Sequence, residues 1–202
     1  MNNRFTIAVV CLALFRYFYA LGGAPITQDE FASKLSSSGW SAKEVKEMSA
    51  AMFVSEDTGA SFLMLNFVKL KPAPDYGERQ DLRPSYVETA KQADQYYGFQ
   101  FLSRLLPKAG HLVFYSESVL PAVLSPYTPS SISFDYFAVV RYRCLRDFAE
   151  NMEQMSNAFG DSGMKALKMS GVEYTHLVPV SSPGFTHAVT AIFSLLLLLI
   201  AR

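Results

Sequence analysis

Apolar and polar positions alternate with a period of two in four runs, and recur with a period near 3.6 between them, which predicts strands separated by helices. In Phe62–Leu70 the odd positions Leu63, Leu65 and Phe67 are apolar, whereas Met64, Asn66 and Val68 are mixed. That pattern predicts a strand whose odd face packs on helices and whose even face carries Asn66. Residues 111–117 divide in the same way, with Leu112 and Phe114 on one side and His111, Val113, Tyr115 and Glu117 on the other. Residues 134–142 (FDYFAVVRY) are apolar on both faces, as a central strand requires, and 172–180 (VEYTHLVPV) supply the fourth run.

Tyr86, Ala90, Ala93, Tyr97 and Phe101 fall on one helical face and predict a long helix over 84–106, ended by Pro107 and Gly110. Leu145, Phe148, Met152, Met155 and Phe159 form the stripe of a second helix, and a short helix is expected around 164–169. Upstream, Thr27 with Glu30 and Ser41 with Glu44 have the spacing of capping boxes, which predicts two short helices. The prolines between 119 and 133 predict an irregular connection. The order strand–helix–strand–strand–helix–strand predicts an α+β fold of ferredoxin-like βαββαβ type, with a four-stranded antiparallel sheet carrying helices on one face. The bare face, bearing Asn66, His111, Tyr115 and His176, is expected to border a cavity closed by the sheet of a second copy.

The two ends have a different character. Residues 5–15 are an apolar run behind Arg4, followed by the small residues Gly22, Gly23 and Ala24. This is the layout of a secretory signal peptide, with an uncleaved anchor or a chance apolar terminus as alternatives over 1–24. Residues 185–201 are apolar apart from His187 and three hydroxyl residues, and they follow Ser181, Ser182 and Gly184. Over 181–202 a retained membrane helix, a signal replaced by a GPI anchor, and an amphipathic end remain open. Membrane attachment on the secretory pathway or at the cell surface is the expectation common to the first two. Between the ends lie a helical extension over 25–60 and the sheet domain over 61–180.

Without the two ends, 15 basic residues face 18 acidic ones. A slightly acidic domain with no basic stripe is a poor nucleic-acid binder. Of the two cysteines, Cys11 lies in the leader-like segment, which leaves Cys144 without a partner for a disulfide.

The runs MLNFVKLK and FDYFAVVRYR, the long helix around Tyr86, Phe148 with Met152, and the closing ALKMSGVEYTHLVPV resemble the dimeric α/β-barrel superfamily, in particular its members of domain-of-unknown-function type. The resemblance spans 61–180 and implies a homodimer with a ligand-sized barrel cavity. It does not extend to HLVFYSES or to the long proline-rich connection after it. Relatives in the superfamily include cofactor-free monooxygenases, haem-degrading enzymes and dehalogenase-like proteins, so the resemblance speaks for fold more than for chemistry.

Asn66, His111 and His176 are the candidates for catalysis: Asn66 to orient a carbonyl or enolate, a histidine to carry the proton. The plain alternatives are an asparagine that satisfies backbone groups and histidines that are satisfied core or rim residues. Tyr115, Tyr136 and Tyr142 join these three as candidate ligand contacts, against the simpler role of packing with a polar tip, which also suits Tyr174. Arg141 and Arg143 are expected either to meet an anion or to pair with Asp147 or Glu150. Cys144, near a helix start where a thiolate is favoured, is a weak nucleophile candidate, and Trp40 is expected to anchor the N-terminal helices outside the barrel. No metal ligand set and no cofactor motif stands out. The expected occupant is a small apolar molecule; cofactor-independent oxygenation or isomerisation of an aromatic or enolic substrate, and a purely structural module, are the alternatives.

Overall fold

In the computed structural model, residues 3–15, 17, 22–117, 133–160 and 162–181 are described. Four strands, β1 (Phe62–Leu70), β2 (His111–Ser116), β3 (Tyr136–Tyr142) and β4 (Val172–Ser181), make one antiparallel sheet in the order β2-β3-β1-β4. Among the described residues there are six α-helices: α1 (Asn3–Phe15), α2 (Gln28–Ser36), α3 (Ala42–Met52), α4 (Ala90–Leu105), α5 (Leu145–Phe159) and α6 (Gly163–Gly171). The fold is therefore α+β. The two strands with the most continuous apolar character, β1 and β3, occupy the centre. Because each neighbouring pair is antiparallel, β1 and β2 run in the same direction with β3 between them, and β3 and β4 do so around β1.

Register decides which face meets the helices, and it reverses the expectation for β1. Phe62, Met64, Asn66 and Val68 lie opposite Tyr142, Val140, Ala138 and Tyr136. Phe62, Met64, Val140 and Tyr142 pack in one core with Phe101 of α4 and Phe148 and Met152 of α5. The even face is thus the helix-covered one. Leu63, Leu65 and Phe67 point the other way, beside Val180, Val178 and His176 of β4 and Arg141, Val139 and Phe137 of β3. Hydropathy alone ranks the leucine face as the more core-like. Bulky Phe62 and adaptable Met64 nevertheless fill the uneven helix–sheet space, and the one polar group there, Asn66, is satisfied by backbone carbonyls.

A second departure lies in β2, where the register slips between Leu112 and Phe114. One additional residue, Val113, forms a bulge that changes the alternation half-way along the strand. Leu112 and Tyr115 consequently share the helix side, opposite Val140 and Ala138, while His111 and Phe114 face away, opposite Arg141 and Val139. The expected grouping of His111 with Tyr115 does not occur.

Helix α4 begins at Ala90, six residues later than its periodicity predicts. Thr89 caps it and Gln92 closes a capping box, a second start signal downstream of Pro84. Tyr86 lies before the helix and is largely exposed, while Ala90, Ala93, Phe101 and Leu105 are buried. Helices α2 and α3 carry the caps read from the sequence: Thr27 accepts from the Glu30 amide, and Ser41 and Glu44 form a complete capping box. These helices do not roof the open face of the sheet. Helix α2 lies on α5, with Phe31 stacked on Phe148 at 6.1 Å, Lys34 paired with Glu153 at 2.8 Å and Glu30 paired with Arg146. Lys165 of α6 binds Glu44 of α3 at 2.8 Å. Ile26, Phe31, Leu35 and Val45 belong to the same core as the sheet, so this segment is integral to it.

Of the leader-like segment, α1 presents exposed Ile7, Val9, Val10, Leu12 and Leu14. None of the described helices is long and apolar enough to cross a membrane. The apolar run 185–201 and most of the proline-rich connection lie outside the described residues.

Candidate functional site

Between the helix-covered face of the sheet and the helices themselves lies a cavity of about 360 Å³. Its floor is Met64, Asn66 and Val68 of β1, Tyr136, Ala138, Val140 and Tyr142 of β3, and Thr175 and Leu177 of β4. Tyr97, Gly98, Phe101 and Leu102 of α4 and Phe148 and Met152 of α5 form its roof. Gly98 helps to make the room: a Cβ built there would meet no heavy atom within 4 Å. Exposed Phe99 of α4, with Leu112 and Tyr115 of edge strand β2, forms an apolar rim.

The cavity lies within a single chain, on the opposite side of the sheet from the chamber expected between two copies. The reversed face of β1 accounts for the difference. Asn66, Tyr115, Tyr136 and Tyr142 all line it. His111 and His176 do not, being carried on the other face by the β2 bulge and by the pairing of His176 with Phe67. The edge of the His176 ring packs against Phe134 and Tyr174. Burial and the nearby Arg141 charge hold the His111 pKa below the usual imidazole value. Among the described residues, therefore, no histidine stands beside Asn66 to act on a common ligand.

Asn66 lines the cavity and satisfies backbone groups of its own sheet. Its Nδ2 donates to the carbonyl oxygens of Met64 at 2.9 Å and Ala138 at 3.3 Å, which fixes the orientation of the amide. Arg143 makes the expected pair with Asp147 through two bonds of 2.7 and 2.9 Å, whereas the side chain of Arg141 is buried and donates to the Ala109 carbonyl oxygen. Cys144 is the N-cap of α5, yet burial pushes its thiol up to about 11, so the helix start does not produce a thiolate. Trp40 is a cavity wall as well as an anchor, with the Lys165 ammonium 5.3 Å from its ring centroid.

Two charged residues in the wall escaped the reading of the sequence. Asp94 of α4 accepts a 2.7 Å hydrogen bond from the Tyr136 hydroxyl, and burial raises its carboxyl pKa. Lys168 of α6 lines the same cavity and has no carboxylate within 4 Å among the described residues. Burial brings its ammonium down to about 8, against the pull of Asp94. Gly171 explains how a lysine comes so close to α4. A Cβ at Gly171 would lie 2.2 Å from the Ala90 carbonyl oxygen and 2.8 Å from the Asp94 nitrogen, so only glycine lets the end of α6 touch α4. Lys168, one turn earlier on the same side of α6, is thereby carried to the cavity.

The tyrosines complete a polar strip along otherwise apolar walls. Tyr115 and Tyr136 pack ring to ring at 5.3 Å. Burial raises the phenol pKa of Tyr97, Tyr136 and Tyr142, so these groups are neutral donors and acceptors at neutral pH. The buried Thr175 hydroxyl has no hydrogen-bond partner among the described residues. Such a cavity, mainly apolar with a few converging polar groups, is the usual chemistry of a small-molecule site. Among the described residues no cluster of His, Cys, Asp and Glu is placed to hold a metal ion.

No protein-family model matches the chain, and no curated protein matches it. Among solved structures it is similar to RPA0582, a protein of unknown function from Rhodopseudomonas palustris, with a TM-score of 0.48 at 16% identity over 70% of this chain and 93% of that one. The methylated form of RPA0582 aligns with a TM-score of 0.49 at 17% identity, over 81% of this chain and 99% of that one.

Proposed function

We propose that this chain is a membrane-tethered dimeric α/β-barrel protein of ferredoxin-like type that holds a small, largely apolar molecule in a cavity within each protomer. The observation that carries the reading is the cavity of about 360 Å³ under α4 and α5, within the ~300–1,000 Å³ range typical of small-molecule sites. A merely structural module gains nothing from leaving such a space open, because unfilled apolar volume costs stability.

Support for the homodimer comes from the open face of the sheet. Leu63, Leu65, Phe67, Phe137, Val178 and Val180 make it apolar, and a second sheet laid across it would bury that surface. Support for tethering, on the secretory pathway or at the cell surface, is the apolar run 185–201. Binding is favoured over the cofactor-independent oxygenase or isomerase built on Asn66 and a histidine, because both histidines of the sheet lie across it from Asn66.

The test is calorimetric titration of the full chain in lipid nanodiscs with 2-naphthamide, a neutral bicyclic aromatic, against empty discs. Saturable binding that is lost in Gly98→Leu, which fills the cavity from α4, is the expected result. Absence of saturable binding, or binding unchanged by the filled cavity, refutes the reading.

A further inference from the structure

The cavity described above carries one positive charge that nothing in its wall neutralises by contact. The geometry points to Lys168 as an anion anchor: the site takes an amphipathic aromatic acid, its ring system against the apolar floor and roof and its carboxylate on the Lys168 ammonium. This rests on the cavity reading and adds the chemical class of the occupant.

Three observations support it. Lys168 lines the cavity, and no described carboxylate lies within 4 Å of its Nζ. Lys168 is half-buried, and an ammonium in the wall of an apolar cavity with no carboxylate in contact is open to an anion that enters the cavity. Asp94, the nearest acid, is engaged by the Tyr136 hydroxyl at 2.7 Å. Finally, the glycine contact that brings α6 onto α4 places this lysine in the cavity wall; with any larger residue at 171 it would stand farther off.

Asp94 acts against the anion, which gives the proposal a second handle. Removing its charge should favour the acid, and removing Lys168 should abolish the preference. The groups that share the cavity with Lys168 are Asp94 and Tyr97 on α4, Tyr115 on β2, and Tyr136 and Tyr142 on β3. Of these only Asp94 is an acid of the carboxylate range, with its pKa raised by burial, while burial raises the phenols further from neutrality.

The experiment compares 2-naphthoate with its neutral isostere 2-naphthamide by calorimetry, using the full chain in nanodiscs at pH 7. A charge-assisted bond predicts that naphthoate binds roughly 10- to 100-fold more tightly. Lys168→Met should erase that preference, bringing the two affinities together, and Asp94→Asn should increase it. Preference should also decline as pH rises past about 8, where Lys168 loses its proton. Equal or weaker binding of naphthoate in the wild type overturns the proposal, as does a preference that survives Lys168→Met. Should that variant fail to fold, an unchanged or reduced preference in Asp94→Asn overturns it. If neither probe binds, the cavity reading itself fails, and the anchor with it; binding of naphthamide without naphthoate preference sinks only the anchor.

Discussion

Lys168→Met is expected to make the protein more stable, an unusual outcome for a substitution in the wall of a binding site. The methionine keeps the length and apolar stem of the lysine and removes the ammonium. In the folded chain that ammonium is brought from 10.5 to about 8, chiefly by burial. The difference corresponds to about 3 kcal/mol by which folding disfavours the charged lysine. The value of about 8 already includes the attraction of Asp94, and partial solvent access of the lysine makes ~3 kcal/mol a ceiling. The sign follows from the protons bound. Below pH 8 the lysine is charged in both states and the whole cost is present. Between about 8 and 10.5 the folded chain has released the proton and the unfolded chain has not, so wild-type stability gains relative to the variant. Urea unfolding followed by fluorescence of the single tryptophan, Trp40, measures both proteins at pH 7 and at steps up to 10.5. A variant less stable than wild type at pH 7, or a stability gap that stays constant across that range, refutes the reasoning.

Other perturbations test separate links. Gly98→Ala should add about 1 kcal/mol through helix propensity in an open position, read by the same unfolding curves, and Gly98→Leu should weaken 2-naphthamide binding at least ~10-fold by occupying the cavity. Gly171→Ala should destabilise by roughly 1–3 kcal/mol in urea, because its Cβ would meet backbone atoms of Ala90 and Asp94 that cannot yield as a side chain does. The Lys165 hydrogen bond holds Glu44 down to about 2, so its contribution is full above pH 4.5 and is lost as pH falls from there toward 2. Glu44→Gln should therefore flatten the acid limb of a stability–pH profile in that window and leave the alkaline side unaltered. Val178→Glu, a charge in the middle of the open sheet face, should convert a dimer to a monomer in sedimentation velocity without altering naphthamide binding; a wild-type monomer at high concentration refutes the dimer.

Element types were legible because each has a local cause. Thr27, Ser41 and the Leu145-to-Phe159 stripe announce helices through caps and periodicity, and the structure has all three. The central place of β3 follows from apolar residues on both faces. Boundaries fail where two local signals compete: Pro84 suits a helix start, but Thr89 and Gln92 satisfy more orphan amides and prevail. Alternation also says which residues share a face without saying which face the helices cover. That depends on crossover geometry and on volume, and in β1 it favoured Phe62 and Met64 over the more uniformly aliphatic side.

The site was harder to read than the sheet, for related physical reasons. Asn66, Tyr115, Tyr136 and Tyr142 were recognisable as polar interruptions of apolar strands, and all four line the cavity. His111 looked equally good, but a bulge of one residue is invisible in composition and turns every side chain beyond it to the other face. Asp94 and Lys168 carried a signal of another kind. Asp94 lies four residues after Ala90 and three before Tyr97, within the buried stripe of α4, and Lys168 lies one turn from both Met164 and Gly171 on the packed side of α6. A charge placed within a stripe that must be buried costs stability unless something compensates for it. At Lys168, whose ammonium meets no carboxylate among the described residues, the carboxylate of a ligand in the cavity would offset that cost.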